Sequence, residues 1–316
     1  MKELYINKLS AGDSLTAVPF LVQDVSRRTT KDGRPFLLLT LSDKTGTCGG
    51  VFWDVPPAVD EWVSAGKVAA VTGRVSDYKD ALQITATMML PESNPNMGDY
   101  LPSSDRPKME MISELYDFIA SLAEPWRGLV DHILLNDEFL DAFATMPAAK
   151  GMHHAYIGGL LEHTLSMAGL ANMLAAHYPL VDRDLLLAGT LLHDMGKVYE
   201  YTITGEFGFS EDGRLLGHIV RAMLMVETAV SATNTLNDDQ SRQLLHLIAS
   251  HHGKQEWGSP VEPKTIEAVL LHQIDMLDSR MQGFVDHIKK DKGNGDWTSK
   301  KSYMFGHELK RPLAMR

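Results

Sequence analysis

The chain has 316 residues, of which 44% are hydrophobic, and carries a formal net charge of -11. This length and apolar content allow one large folded domain or two ordinary ones, and they argue against a disordered protein. No run approaches the roughly 20 apolar residues of a membrane-spanning helix, residues 1–20 lack a signal-peptide pattern, and the acidic charge argues against a non-specific electrostatic grip on nucleic acid.

Cysteine usage limits the metal chemistry and indicates the compartment. The single cysteine, Cys48, excludes an internal disulfide and a thiolate zinc cluster. Any metal must therefore be held by His, Asp and Glu. We expect a cytoplasmic protein without a membrane partner.

Residues 4–90 consist of short runs rich in β-branched and aromatic residues, separated by turn formers. Five strands are predicted at 17–25, 36–42, 47–53, 68–75 and 81–89, with a short helix at 57–65. The segments KDGRP at 31–35 and DKTG at 43–46 are predicted hairpin turns. Together they predict a small N-terminal β-barrel of the OB type over residues 1–92.

Barrels of this type often bind single strands by stacking bases on exposed aromatic rings. The first predicted hairpin is basic, and several of the strands carry aromatic residues. Candidate nucleic-acid-binding residues are Arg27, Arg28, Lys31, Arg34, Phe36, Phe52, Trp53 and Tyr78. The competing interpretation is that the aromatic residues on strands belong to the barrel core.

Residues 93–108 are rich in Pro, Ser and Asn and show no hydrophobic period, so they are predicted to be a linker. Over 109–290 apolar residues recur three and four apart, which predicts an all-α domain. Its helices are predicted at 109–122, 127–135, 137–145, 160–177, 183–192, 218–233, 238–251 and 263–290. A β-hairpin is predicted at 200–214, between two of these helices.

The C-terminal residues 291–316 are predicted to be a basic tail. From residue 287 to the last residue, Arg316, eight Lys or Arg stand against three acids. A polyanion could be held there. The alternative is a solvated tail that happens to be basic.

Ten of the thirteen histidines lie between His153 and His272, a concentration that core packing alone does not predict. His193 and Asp194 follow the apolar run 185–192, near the end of a predicted buried helix. Adjacent helix positions diverge by about 100°, so further ligands to one ion must come from other helices. His163 and Asp275 are candidates, because a carboxylate in an apolar helix is costly to bury unless a cation compensates it.

The sequence HDMGK at 193–197, preceded by His163 and followed by Asp275, resembles the HD superfamily of metal-dependent phosphohydrolases. The resemblance implies that His163, His193, Asp194 and Asp275 bind a metal. It also implies that Lys197 lies beside the substrate phosphate.

Gly217-His218-Ile219 and the doublet His251-His252 are similar to the binuclear branch of this superfamily. The similarity implies two metal ions bridged by Asp194, with His218 and one residue of the doublet, preferably His251, holding the second. The alternative is that His218 and His252 are capping or surface histidines. Mixed imidazole and carboxylate sites accept manganese, iron, cobalt, nickel or zinc, and the resemblance favours Mn²⁺, with Co²⁺ as a substitute.

The order of barrel, linker and HD domain, with HHAYIGGLLEHT at 153–164, resembles the YhaM family of bacterial 3'-5' exoribonucleases over almost the whole chain. This resemblance implies release of nucleoside 5'-monophosphates from the 3' end of single-stranded RNA, and leaves single-stranded DNA open as a second substrate. We expect Asp194 and Lys197 to be catalytic, Arg221 to neutralise phosphate oxygens, and His154 to contact the terminal ribose or base.

Three alternatives remain for this site. They are hydrolysis of a small cyclic or free nucleotide, oxygen activation by two irons, and RNA binding without catalysis. The oligomeric state stays open, with a homo-oligomer compatible with the sequence.

Overall fold

The computed structural model describes residues 2–313, which divide into two compact units. The first unit contains the residues up to Ser103 together with Thr202–Gly208, and the second contains the rest. The compact units thus divide inside the predicted linker. Arg316 of the predicted basic tail lies outside the described residues. No helix within residues 2–313 has the length and apolar character needed to cross a membrane.

Five strands form the closed barrel of the first unit. They are β1 (Ser14–Thr29), β2 (Pro35–Asp43), β3 (Gly46–Trp53), β4 (Val68–Tyr78) and β5 (Ala81–Pro91). Their order is β1-β2-β3-β5-β4, and the pairs are antiparallel except for β3 with β5. The predicted OB-type barrel is confirmed, while the predicted helix at 57–65 is reduced to the short α1 (Pro57–Asp60).

Turn residues set the register of the barrel. Lys79 and Asp80, between β4 and β5, both have positive φ, as a two-residue hairpin of the favoured twist requires. Phe20, Leu41 and Ile84 are fully buried inside the barrel. The alternation of inward and outward side chains along each strand therefore decides which aromatic residues reach the surface.

The second unit is helical, and residues 202–208 of the small hairpin that interrupts its sequence are grouped with the first unit. The elements from residue 104 onward are α2 (Lys108–Ala120), α3 (Trp126–Leu134), α4 (Asp137–Phe143), α5 (Gly159–His177), α6 (Arg183–Leu192), α7 (Lys197–Glu200), β6 (Tyr201–Ile203), β7 (Phe207–Phe209), α8 (Glu211–Leu215), α9 (Gly217–Thr233), α10 (Asp238–Ser250) and α11 (Ile266–Lys290). The predicted all-α domain with an inserted β-hairpin is confirmed. The hairpin ends earlier than predicted, because the Ser210 side chain accepts a hydrogen bond from the Gly213 N–H and starts α8.

Helix α6 lies at the centre of this unit, because its residues from Leu185 to Leu192 are all buried. A helix that is apolar on every side must be surrounded by other elements. It packs on α3, α5, α10 and α11. The end of α6, which carries His193 and Asp194, is therefore surrounded by neighbouring helices rather than by solvent.

Residues 291–313, which we call the C-terminal hook, are folded onto the second unit. The Arg311 guanidinium lies 2.6 Å from the Asp291 carboxylate. Trp297 and Lys310 form an isolated antiparallel bridge, and the Leu309 side chain is buried. The described part of the predicted tail is therefore ordered by its own contacts.

Candidate metal centre and its pocket

The candidate metal ligands converge in the second unit, although they come from five helices or helix ends. Most of them lie on or directly after a helix, so their positions depend on how the helices pack. The residues are His163 on α5, His193 and Asp194 after α6, His218 on α9, His251 and His252 after α10, and Asp275 on α11.

The two oxygens of Asp194 face different histidines. Oδ2 lies 3.3 Å from Nε2 of His193 and 3.7 Å from Nε2 of His163. Oδ1 lies 3.5 Å from Nε2 of His218 and 3.6 Å from Nε2 of His251. Within residues 2–313 these four nitrogens and Oδ1 are buried without a hydrogen-bond partner. Because buried polar atoms are seldom left unpaired, this cluster fits divalent cations, which take imidazole and carboxylate ligands.

Among the described residues, three groups of His and Asp bring potential ligand atoms within 4.8 Å of one another. In one of them, His154, His163 and Asp278, these atoms are hydrogen-bonded to each other, which leaves two groups for a metal. One group contains Asp275, whose Oδ1 is 3.4 Å from Nε2 of His163. Asp194 directs one oxygen toward each group, which is the arrangement of a bridging carboxylate. The groups are His163, His193 and Asp275, and His218, His251 and His252.

The other ring nitrogen of every histidine in these groups is already engaged. Nδ1 of each faces an oxygen, as follows: His193 faces the Thr190 carbonyl at 2.7 Å, His251 the Ile248 carbonyl at 2.7 Å, His252 the Trp257 carbonyl at 2.8 Å, His163 the Asp278 carboxylate at 2.7 Å, and His218 the Glu200 carboxylate at 2.8 Å. A carbonyl oxygen only accepts, so Nδ1 donates and Nε2 is the atom left for a metal.

Asp278 and Glu200 were missed by sequence reasoning. Asp278 lies one helical turn after Asp275 on α11, so its spacing was the only signal. Glu200 ends α7, three residues after Lys197. The Asp278 carboxylate orients His163 by a hydrogen bond, and the Glu200 carboxylate lies 2.8 Å from Nδ1 of His218.

His154 does not reach the substrate side of the centre as we had expected. It is only 2% exposed, and its Nε2 lies 2.9 Å from the Asp278 carboxylate. Its Nδ1 lies 2.8 Å from the Tyr156 hydroxyl. This packing does not support the predicted contact with a terminal ribose or base, because both ring nitrogens already have partners behind His163.

Two glycines allow close approach at the centre. A Cβ on Gly196 would lie 2.1 Å from the His218 carbonyl oxygen, so only glycine lets the HDMGK turn pack against the start of α9. Gly253 has φ +80°, and a Cβ there would lie 2.3 Å from the His272 ring. The backbone after His252 can therefore turn tightly next to α11.

Charge at the centre comes from the carboxylates of Asp194, Asp275 and Asp278 and from the buried Lys197 ammonium group. Burial alone would raise the pKa of Asp194, but Lys197 and the histidines hold it well below its usual value. Burial would lower the pKa of Lys197, yet Asp194, 2.6 Å away, raises it. Although burial opposes it, Asp275 and Asp278 raise the pKa of His163 to about 9. A cation bound at His163 would have to displace a proton.

A cavity of about 540 Å³ opens beside the ligand groups. Lys197, His218, His252 and Asp275 line it, so a molecule in the cavity can reach both groups. This volume lies in the usual range for ligand pockets. Other residues of the lining are His153, Tyr201, Trp257, Arg280 and Met304.

Arg221 lies outside this cavity. Its guanidinium pairs with both carboxylate oxygens of Asp212 and lies over the Tyr199 ring. It lines a separate surface depression together with His132 and Phe139. This position does not support the predicted role at the phosphate oxygens, because the guanidinium faces Asp212 outside the cavity.

The candidate nucleic-acid-binding residues of the barrel divide into exposed and engaged ones. Trp53 is 47% exposed and lies 4.6 Å from the Phe36 ring, and Tyr78 is also exposed. Phe52 is only 4% exposed and belongs to the barrel core, contrary to our expectation. Lys31 is exposed at the first hairpin.

The two arginines near that hairpin are already paired within the barrel. Arg27 pairs with Asp60, and Arg34 pairs with Asp32 and Asp54. Each pair is partly exposed to solvent. Such surface pairs are weak and exchange readily with other anions.

The barrel and the metal centre define the class of protein as a metal-dependent hydrolase of the HD type joined to an OB-fold nucleic-acid-binding unit. A family model described as an HD domain matches residues 160–280. A second, described as an OB-fold nucleic acid binding domain, matches residues 22–91.

Comparison with curated proteins gives the family. The 3'-5' exoribonuclease YhaM of Bacillus velezensis is 36% identical over 83% of this chain and 84% of its own length. The proteins of the same name from Bacillus subtilis and a Geobacillus species are 34% and 31% identical over 89% and 94% of this chain, and over 89% and 91% of their own lengths. The chain belongs to the YhaM family, as the sequence motifs predicted.

Proposed function

We propose that this chain is a metal-dependent 3'-5' exoribonuclease that degrades single-stranded RNA to nucleoside 5'-monophosphates. Three relatives named 3'-5' exoribonuclease YhaM support the proposal over most of the chain. The structural observation that carries it is the pair of buried ligand groups that share Asp194 and open onto a cavity.

In this proposal two divalent cations would be held by the two ligand groups. The group with His163 and Asp275 would hold one and the group with His218 the other, and the Asp194 carboxylate would contribute to both. When bound, such cations activate water at neutral pH and neutralise charge on phosphoryl oxygens. The donor set alone does not select one metal, and we favour manganese from the family resemblance.

The chain's own residues position the substrate phosphate. Lys197 lines the cavity, and its raised pKa keeps the ammonium group charged at neutral pH. It would hold a non-bridging phosphate oxygen beside the ligand groups. Asp194 orients this ammonium group through the 2.6 Å contact. Arg221 and His154 receive no catalytic role, because other residues occupy their polar groups.

We propose that the barrel, over residues 1–92, contributes to the binding of single-stranded RNA. The exposed Trp53 ring beside Phe36, together with Tyr78 and Lys31, offers the stacking surface and charge that such binding uses. The cytoplasm remains the proposed location, which the single buried and unpaired Cys48 supports.

Product analysis tests the function. An RNA oligomer labelled on its 3'-terminal nucleotide, incubated with manganese, should release labelled nucleoside 5'-monophosphate first, and a chelator should stop the release. Asp194→Ala should abolish turnover but keep RNA binding. The matched control Asp238→Ala, which changes an exposed acid at the start of α10, should retain full activity.

Three results would overturn the proposal. Turnover of free or cyclic mononucleotides without attack on the oligomer would indicate a small-nucleotide phosphodiesterase. Oxygen-dependent activity without release of a phosphate ester would indicate a diiron oxygenase. RNA binding without turnover in any divalent metal would indicate a binding protein.

A further inference from the structure

The cavity at the metal centre adjoins a second one of about 360 Å³. Met152 and Met304 line both, so the two cavities meet at these side chains. The second cavity lies along the last turns of α11 and is also lined by Lys290 and Tyr303. We call the combined surface, from Asp275 to Lys290 and Tyr303, the strand groove.

Helix α11 forms one wall of the strand groove. Met276, Arg280, Gly283, His287 and Lys290 line it and follow one another at intervals of three or four residues, so they share a face of the helix. At a rise of 1.5 Å per residue, the distance from residue 275 to residue 290 is about 22 Å. The groove is therefore longer than a single nucleotide bound at the metal centre would need.

The C-terminal hook forms the other wall. The sulfur of Met304 would lie 2.8 Å from a Cβ on Gly283, so the absence of a side chain there lets the hook cross α11 closely. The Ser302 N–H donates to the His307 carbonyl, which closes the turn that carries Tyr303 and Met304. Tyr303 projects from this turn and is 94% exposed.

Charge along the strand groove suits a polyanion. Arg280 is exposed, and its guanidinium lies 5.9 Å from the Phe305 ring. Lys290 lines the second cavity. One carboxylate, Asp286, lies there too and accepts a hydrogen bond from the Gln282 amide.

We propose that the strand groove holds the nucleotides that precede the 3'-terminal one, an inference that rests on the proposed function. Arg280 binds a phosphate upstream of the scissile one, since it lines the same cavity as Lys197. Tyr303 stacks on a base further from the 3' end, because an exposed ring serves any base. A strand of several nucleotides thus contacts both cavities, whereas a dinucleotide is confined to the first.

Kinetics with two substrates test the groove in the full chain. Arg280→Gln and Tyr303→Ala are compared with wild type on a long single-stranded RNA and on bis(p-nitrophenyl) phosphate, a diester too small to extend along the groove. The ratio of kcat/KM for RNA to kcat/KM for the small diester should fall about 5- to 150-fold for Tyr303→Ala and fall in the same direction for Arg280→Gln. Arg280→Lys should recover part of the loss.

A charge-matched control lies away from the groove. Lys264→Ala removes an exposed cation before α11 and should leave the ratio at its wild-type value. Ratios equal to wild type in both groove variants would overturn the inference, as would an equal loss on both substrates.

Equilibrium binding of the same RNA in the presence of chelator separates this inference from the proposed function. If wild type does not hydrolyse RNA but both groove variants bind it more weakly than wild type does, the exoribonuclease function is refuted and the strand groove is still supported as an RNA-binding surface. Equal binding by wild type and both variants would refute the groove.

Discussion

Asp278→Ala is the sharpest test of how the metal centre is organised, because Asp278 contacts a ligand histidine from behind. Its Oδ2 accepts from Nδ1 of His163 at 2.7 Å and lies 2.9 Å from Nε2 of His154. Its Oδ1 accepts from the Ser166 hydroxyl. The substitution leaves these buried groups without their acceptor and frees the His163 ring to reorient.

The expected effect on metal binding follows from that loss. Removing the carboxylate that orients a ligand histidine typically weakens metal affinity 10- to 100-fold, which corresponds to about 1.4 to 2.7 kcal/mol. Unpaired buried groups also cost about 1–3 kcal/mol each in stability. Asp278→Asn keeps an acceptor of the same shape, so it should recover most of the stability and only part of the affinity.

Calorimetric titration of manganese into metal-free protein measures this effect without relying on activity. Asp286→Asn is the matched control, because Asp286 lies two turns further along α11 and contacts Gln282 instead of a ligand histidine. Circular dichroism establishes that each variant is folded. A manganese isotherm for folded Asp278→Ala that superimposes on the wild-type isotherm would refute the assigned orienting role.

Other predictions concern the packing at the site, the barrel and the pH dependence of stability. Gly196→Ala places a Cβ 2.1 Å from the His218 carbonyl oxygen and should cost about 1–3 kcal/mol or more in urea unfolding; an unchanged midpoint would contradict the close approach. Phe52→Ala should lower the unfolding free energy by about 3–5 kcal/mol, whereas Trp53→Ala should weaken RNA binding by about 1–3 kcal/mol. If Trp53→Ala destabilised the fold and Phe52→Ala weakened RNA binding instead, the assignment of Phe52 to the core and Trp53 to the binding surface would be refuted. Burial, together with the charge of Lys264, lowers the pKa of His246 in the folded protein. As the pH falls, His246 therefore becomes protonated in the unfolded chain before it does in the folded protein. The stability from this group should be complete above about pH 6.5 and decline as pH falls toward the lowered folded pKa. Urea unfolding across pH should show a flatter acid limb for His246→Gln, and parallel profiles would disprove this.

Local sequence patterns predicted the elements because each pattern depends only on neighbouring residues. Alternation along β2 and β4 and the three-and-four spacing along α5 and α11 reflect the geometry of strands and helices themselves. The predicted barrel, helical domain and family are confirmed on this basis. Element ends were less accurate, as at the hairpin after Glu200, because caps such as Ser210 depend on single hydrogen bonds.

The ligand set could be predicted because it depends on residue type at a few motif positions. His163, His193, Asp194, Lys197 and Asp275 carry the resemblance, and the structure brings all five together. Their roles as metal ligands stay a prediction until a cation is measured there. Asp278 and Glu200 could not be predicted, because a carboxylate on a helix does not reveal which histidine it will face.

The sequence by itself determined which elements form and which side chains are chemically able to bind metal and phosphate. Only the tertiary structure decided which of two adjacent residues faces inward, as with Phe52 and Trp53, and which polar groups are already paired, as with His154 and Arg221. The physical reason is that the direction of a side chain depends on the elements that pack beside it. Those neighbours come from distant parts of the chain, so no local pattern encodes them.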